Sequence, residues 1–152
     1  MRNVTGIGPL PRENIEWVQN LTIVCLNPMK RPLEILSAED HRMYAELVEA
    51  VFERAGHRVA TAANGREAWE LFQQEPARFD VVVTDHQMPE IDGAAFVALL
   101  RQSHFAGKII VHAASLNSGL VERYRALAVD HIVSKGTGTD RLLPLAEGMF
   151  PA

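Results

Sequence analysis

The sequence predicts an α/β fold in which a doubly wound, five-stranded parallel sheet has helices on both faces. Short apolar runs of strand length alternate five times with stretches whose apolar residues recur at helical spacing. This alternation is typical of βαβ units, which build parallel sheets with right-handed crossovers and covered faces. At 152 residues, the chain is long enough for one domain with a sizeable core.

The first half of the pattern contains two strands and two helices. We predict a buried strand over residues 33–38 and a helix over residues 41–55, which Gly56 ends. A second strand follows over Arg58–Ala62. The second helix is predicted over residues 67–74, where apolar residues recur on one face. Pro76 follows the end of this helix.

The second half repeats the alternation three times. The predicted strands cover residues 79–84, Lys108–Ala113 and His131–Ser134. The predicted helices cover residues 94–102, 119–127 and 139–149. Periodicity alone does not give the order of the strands in the sheet.

The N-terminal segment falls outside this alternation. Residues 1–29 contain the breakers Pro9, Pro11 and Pro28, and we predict an extension that is poorly ordered or acts as a docking arm. Residues 30–152 are predicted to form the main domain.

Composition excludes several classes of protein. A net charge of −4 argues against nucleic acid as a partner. The single cysteine, Cys25, excludes an internal disulfide framework and favours a reducing compartment. No apolar run reaches the length of a membrane span, and the N-terminus lacks the apolar stretch of a signal peptide. We therefore expect a cytoplasmic protein with no membrane partner.

The most informative motif lies at the end of the predicted third strand. An apolar run stops at one carboxylate, Asp85, and a turn built on Pro89, Asp92 and Gly93 leads into the next helix. This layout places Asp85 at the carboxyl end of a buried strand, where open α/β sheets bind their ligands.

The motif resembles that of a known family. Residues 85–93 read DHQMPEIDG, which is similar to the D-x-x-M-P-x-x-D/N-G sequence around the phosphoacceptor aspartate of response regulator receiver domains. The resemblance extends roughly over residues 30–150. It implies a flavodoxin-like fold with strand order 2-1-3-4-5. It also implies that Asp85 accepts a phosphoryl group from a histidine kinase or a histidine phosphotransfer protein.

Acidic residues also follow the predicted first strand. If the first and third strands are neighbours, Glu39 and Asp40 converge with Asp85. Carboxylate oxygens are ligands that Mg²⁺ prefers, and receivers carry an acidic pair at this position. The resemblance adds the backbone carbonyl of Gln87 as a fourth ligand. An alternative is that Asp40 merely caps the helix that begins near His41.

Lys135 ends the predicted fifth strand and matches the lysine of receivers, which reaches the acyl phosphate as a compact charge. The alternative is a solvated loop lysine. The family has proline after this lysine, usually with a cis peptide bond, whereas this chain has Gly136. A cis bond before a residue other than proline costs about 2.5–4 kcal/mol, so we expect a trans bond or a different course of the loop over residues 136–138.

The positions that switch conformation in receivers differ in this chain. Ala113 stands where threonine or serine is usual, and Ile132 stands where an aromatic residue is usual. Ser115 points to the same side as Ala113 if the fourth strand continues. His86 is interpreted as an ordinary loop or packing residue, and His112 as a satisfied interior or surface histidine.

Three classes of function fit these residues. We favour a phosphoacceptor switch that catalyses only its own phosphorylation and dephosphorylation and signals to an unknown downstream protein. The substitutions at Ala113, Ile132 and Gly136 support an alternative, an atypical pseudo-receiver that binds proteins independently of phosphorylation. A Mg²⁺-dependent enzyme acting on small phosphoesters is disfavoured, because the sequence shows no substrate-binding insertion.

Overall fold

The computed structural model of the protein describes residues 31–151. Five strands are present in this range: β1 Glu34–Ala38, β2 Arg58–Ala62, β3 Val81–Thr84, β4 Lys108–Ala113 and β5 His131–Ser134. All pair in parallel, in the order β2-β1-β3-β4-β5. The predicted fold class and strand order are therefore confirmed. The predicted extension over residues 1–29 lies outside the described residues.

Helices connect successive strands and follow the last one. They are α1 Arg42–Arg54, α2 Gly65–Gln74, α3 Gly93–Gln102, α4 Ser118–Ala126 and α5 Leu142–Gly148. The last predicted helix, over residues 139–149, is in fact a turn of 3₁₀ helix over Thr139–Arg141 followed by α5.

The register of the sheet brings the ends of β1 and β3 to the same level. Ala38 pairs with Thr84, and the N–H of Asp85 donates to the carbonyl of Ala38 at 2.9 Å. The ladder between β4 and β5 is extended in the same way, since the N–H of Lys135 donates to Ala113 at 2.9 Å. The residues that follow these strands therefore emerge at one edge of the sheet.

Alternate strand residues fill two apolar cores, one on each face of the sheet. One core packs α2, α3 and α4 against the sheet and includes Leu36, Val82, Phe72, Phe96 and Tyr124. The other packs α1 and α5 and includes Ile35, Val83, Phe52 and Leu142. Burying a large apolar side chain stabilises the folded state by about 1.5–3 kcal/mol. The two cores therefore hold the sheet rigidly in place, and the loops of the site extend from its edge.

Three helices begin at residues whose side chains cap them. Asn64, Asp92 and Asn117 each accept a hydrogen bond from the backbone N–H three residues later, at 2.7–2.9 Å. Such caps contribute about 1 kcal/mol each. They fix the first turns of α2, α3 and α4, which start one or two residues before the predicted positions.

Gly93 allows the loop after β3 to pack closely against α4. A Cβ atom at this position would lie 2.1 Å from the carbonyl oxygen of Asp85 and 2.7 Å from the hydroxyl oxygen of Tyr124. Only glycine leaves room for both groups. In α4, by contrast, a Cβ atom on Gly119 would meet nothing nearer than Asn117 Oδ1, at 3.5 Å.

We predict opposite effects of alanine at these two helical glycines. Gly93→Ala should lower the free energy of unfolding by about 1–3 kcal/mol, because the methyl group overpacks the site. Gly119→Ala, the matched control, should raise it by up to about 1 kcal/mol, because the unfolded chain loses freedom. Urea denaturation measures both values. Equal stabilities of the two variants would show that the close approach at Gly93 does not constrain the fold.

Candidate functional site

Three carboxylates converge at the carboxyl ends of β1 and β3. Glu39 and Asp40 directly follow β1, and Asp85 directly follows β3. One oxygen from each lies within 4.8 Å of the others. Glu39 and Asp85 are buried, whereas Asp40 is exposed. The structure thus brings together the acidic residues that the sequence predicted as one group.

Lys135 lies between the two buried carboxylates. Its Nζ is 2.6 Å from Glu39 Oε2 and 3.0 Å from Asp85 Oδ2, and the side chain is 4% exposed. Nζ also lies 4.6 Å from the centroid of the Tyr44 ring, within the range of a cation–π contact. The alternative of a solvated loop lysine is therefore wrong.

Burial and charge act in opposite directions on the ionisable groups of the site. Burial lowers the pKa of Lys135, but hydrogen bonds to Glu39 and Asp85 outweigh that effect and raise the pKa overall. For Glu39, burial raises the pKa by more than the bond to Lys135 lowers it. The loss of water around Glu39 is thus not fully compensated, and a further cation nearby would stabilise its charged form.

Backbone N–H groups hold the two buried carboxylates in place. His86 donates to Asp85 Oδ1 at 2.7 Å, and His41 donates to Glu39 Oε1 at 3.1 Å. Asp40 does not cap α1, because the N-cap residue is His41, whose side chain makes no capping bond. The capping alternative for Asp40 is therefore wrong, and its carboxylate faces the pocket described next.

A pocket of about 450 Å³ opens at this edge of the sheet. Its walls come mainly from the carboxyl ends of the strands and the loops that follow β1, β3, β4 and β5. They include Asp40, Asp85, His86, Gln87, Ala113, Ser115 and Lys135. The combination of hard oxygen donors and one ammonium suits a divalent cation together with a charged oxyanion.

The loop after Lys135 is held by a short chain of hydrogen bonds. No peptide bond in residues 31–151 is cis, so the expected trans bond at Gly136 is confirmed. The hydroxyl of Thr139 donates to the carbonyl of Lys135 at 3.2 Å. His112 Nε2 lies 3.0 Å from the same hydroxyl oxygen and donates to it, because that hydroxyl proton is already used.

His112 is an interior residue, 1% exposed. Burial, together with the charge of Lys135, lowers the pKa of His112 to about 4. Its Nδ1 is buried without a hydrogen-bond partner among the residues described. A neutral ring protonated on Nε2 accounts for both observations.

Two of the three predicted switch positions, Ala113 and Ser115, line the pocket, whereas Ile132 does not. Ala113 is buried at the end of β4, and Ile132 packs against the core that contains Tyr124. The fourth strand ends at Ala113, so Ser115 is not a strand residue on the same face. Ser115 lies in the exposed loop beyond, although it still lines the pocket.

Sequence reasoning missed three residues of the site, namely Tyr44, Tyr124 and Thr139. Tyr124 is fully buried, and its hydroxyl lies 2.8 Å from His86 Nδ1. The two tyrosines fit the apolar faces of helices, and this pattern gives no sign of a polar contact. Thr139 is the first residue of the helix predicted over residues 139–149, and this position gives no sign of its contact with His112.

Comparisons with known proteins agree with this geometry. The sequence model described as "Response regulator receiver domain" matches residues 35–147. The sensor histidine kinase AruS of Pseudomonas aeruginosa is 31% identical over 114 residues, which are 72% of this chain but only 11% of that protein. The two-component response regulator ARR22 of Arabidopsis thaliana is 28% identical over 125 residues, covering 81% of this chain and 87% of ARR22.

Solved structures show the same fold. Chemotaxis response regulator CheY4 of Vibrio cholerae has a TM-score of 0.69 at 28% identity, covering 77% of this chain and 98% of that one. The CheX–CheY–BeF3–Mg complex of Borrelia burgdorferi matches with a TM-score of 0.74 at 20% identity, covering 80% of this chain and 91% of that one. Within residues 31–151, no helix has the length and apolarity that crossing a membrane requires.

The buried histidine predicts a pH dependence of stability. The pKa of His112 falls from an ordinary value of 6.5 to about 4 on folding, so the unfolded chain binds more protons between these values. The free energy of unfolding should therefore decrease by up to about 3 kcal/mol as the pH falls through this window. His112→Gln keeps an N–H donor for Thr139 but removes the titrating group. Urea denaturation between about pH 7 and pH 4 should show a weaker pH dependence in the variant; identical dependences would contradict this account.

Proposed function

The chain belongs to the response regulator receiver domain family, and we propose that it is a phosphoacceptor whose Asp85 receives the phosphoryl group. The observation that carries this proposal is the contact of the buried Lys135 ammonium with both Asp85 and Glu39. A carboxylate at a strand end, beside a fixed cation and an open pocket, has what an acceptor of a phosphoryl group needs.

The reaction follows from the position of Asp85. One carboxylate oxygen attacks the phosphorus of a phosphohistidine, the P–N bond breaks, and the histidine nitrogen leaves with the electron pair. The products are an aspartyl phosphate and a free histidine on the donor. The N–H of His86 restrains the carboxylate through Oδ1, so attack needs little reorganisation. Water later hydrolyses the acyl phosphate.

Lys135 supplies a positive charge within reach of the transferring oxygens. Because its pKa is raised, the ammonium keeps its charge at neutral pH. An ammonium has three N–H donors, so Lys135 can keep a bond to a carboxylate while it bonds a phosphoryl oxygen. The face of Tyr44 and the backbone bond to Ala113 restrict where the lysine can move.

The acidic residues fit a Mg²⁺ ion. Glu39, Asp40 and Asp85, with the backbone carbonyl of Gln87, would hold it. Their hard oxygen donors, and the exposure of Asp40 to solvent, suit a cation that retains several waters. When bound, Mg²⁺ offsets negative charge on the phosphoryl oxygens.

The proposed partners follow from this chemistry. The donor is a histidine kinase or a histidine phosphotransfer protein, and the signal passes to an unidentified downstream protein by direct contact in the cytoplasm. Similar sequences occur as a small part of a sensor histidine kinase and as most of a response regulator. The activity is confined to phosphorylation and dephosphorylation of Asp85 itself.

A pseudo-receiver that acts independently of phosphorylation is the second candidate. It is favoured by the buried methyl group of Ala113, which gives no hydroxyl at the end of β4, and by the aliphatic Ile132. The two candidates differ in whether Asp85 accepts a phosphoryl group at all.

Phosphorylation of Asp85 is the direct test. Acetyl phosphate with Mg²⁺, or a phosphorylated histidine phosphotransfer protein, should add one phosphoryl group that hydroxylamine removes, as seen by mass spectrometry. Asp85→Asn should abolish the modification and keep the fold, since the amide is nearly isosteric. Asp140→Asn, which changes an exposed carboxylate outside the site, should leave it intact. A wild-type protein that neither donor modifies would support the pseudo-receiver.

The metal site predicts a cation-dependent stability. Mg²⁺ at concentrations on the order of millimolar should raise the melting temperature, because a ligand that binds only the folded state stabilises it. Asp40→Asn should abolish this increase with little effect on the cation-free protein, because Asp40 is exposed. Asp140→Asn again serves as the control. A wild-type melting temperature that Mg²⁺ leaves unchanged would count against the site.

A further inference from the structure

No side chain at the end of β4 itself offers a hydrogen bond to a group carried by Asp85. Ala113, which lines the pocket there, presents a methyl group, and Ser115 lies in the exposed loop beyond the strand. An acyl phosphate brings oxygens whose charge needs donors in addition to Lys135. Other residues that line the pocket are the candidates for these hydrogen-bond donors.

His86 adjoins Asp85 and lines the same pocket. Its N–H donates to Asp85 Oδ1 at 2.7 Å, and its carbonyl accepts from the N–H of Gly93 at 2.9 Å. Its ring lies edge-on to that of Tyr124, with centroids 5.6 Å apart and planes at 82°. Nδ1 lies 2.8 Å from the Tyr124 hydroxyl oxygen. Backbone and ring are therefore both anchored.

The Tyr124 hydroxyl fixes which ring nitrogen carries the proton. Burial raises the pKa of Tyr124, and the negative charges of Asp92 and Asp85 add to that effect, so the phenol keeps its proton. Among residues 31–151, His86 Nδ1 is the only hydrogen-bond partner of this buried hydroxyl, at 2.8 Å. A buried hydroxyl proton needs an acceptor, so we infer that Tyr124 donates to Nδ1. An imidazole whose Nδ1 accepts carries its own proton on Nε2, on the edge of the ring turned away from Tyr124.

We propose that His86 is a further phosphoryl-binding residue, whose Nε2–H donates to an oxygen of the group on Asp85, and that Tyr124 positions its ring. This inference rests on the proposed function, since it requires a phosphoryl group on Asp85. His86 thus supplies a hydrogen bond that the side chain of Ala113 cannot make. Tyr124, in α4, contributes only by holding the His86 ring in position. Gly93 permits the arrangement, since any side chain there would collide with the Tyr124 hydroxyl.

Tyr124→Phe tests the inference with the loss of a single oxygen. The readout is the affinity for beryllofluoride, a phosphoryl analogue, at saturating Mg²⁺, with Mg²⁺ affinity measured separately. We expect beryllofluoride to bind about threefold to tenfold more weakly, the effect of one hydrogen bond. Mg²⁺ affinity should not change, because the three carboxylates are untouched. Ser103→Ala, which removes a hydroxyl bond to Leu100 at the end of α3, should retain wild-type affinity for both.

A double-mutant cycle separates positioning from a general structural role. His86→Phe keeps a ring but removes the donor, and should weaken beryllofluoride binding by about tenfold or more. In that background Tyr124→Phe should have no further effect, because the ring it positions no longer donates. An equal loss in both backgrounds, or no loss in wild type, would overturn the inference. A wild-type protein that binds Mg²⁺ but no beryllofluoride would contradict the proposed function itself, and this inference with it.

Discussion

The ion pairs of Lys135 with Glu39 and Asp85 are the interaction on which the site depends. Two carboxylates and an ammonium are removed from water at the end of the sheet. Their burial is tolerable only because each charge has a partner at bonding distance and each carboxylate also has a backbone donor. Removing the lysine would leave two buried anions uncompensated. The same ion pairs place a fixed positive charge beside the Asp85 carboxylate, which the proposed phosphoryl transfer requires.

Sequence patterns predicted the elements of the fold but not every contact between them. Alternation of strand and helix gave the class, and the resemblance gave the order that places β1 beside β3. Once these strands are neighbours, Glu39 and Asp85 must converge, so this part of the site could be predicted. The expectation for Ser115 required β4 to continue beyond Ala113, but the strand ends there. Periodicity places the end of a strand only to within a few residues.

The contacts that escaped prediction join residues far apart in the chain. His86 and Tyr124 are 38 positions apart, and His112 and Thr139 are 27 apart. In each pair, one partner belongs by pattern to an apolar core, and its polar atom finds a partner only after the sheet and helices pack. The buried Nδ1 of His112 shows the cost of such a contact, because one ring nitrogen is left unsatisfied while the other holds Thr139.

The residues around Asp85 therefore match the family pattern in part and depart from it in part. The groups that hold and neutralise Asp85 match those of the family, whereas Ala113 and Ile132 lack the hydroxyl and the aromatic ring that the resemblance implies. The hydrogen bond between Tyr124 of α4 and His86 links a helix to the residue next to Asp85. Under the proposed function, this contact is a route by which a group on Asp85 would act on α4 without a hydroxyl from β4.

A crystal structure with Mg²⁺ and beryllofluoride tests the central claim most directly. The account predicts beryllium bonded to a carboxylate oxygen of Asp85, Mg²⁺ ligated by Glu39, Asp40 and Asp85, and the Lys135 ammonium bonded to a fluorine. Beryllofluoride on another residue, or a Lys135 that contacts only Glu39 while the analogue occupies Asp85, would contradict it.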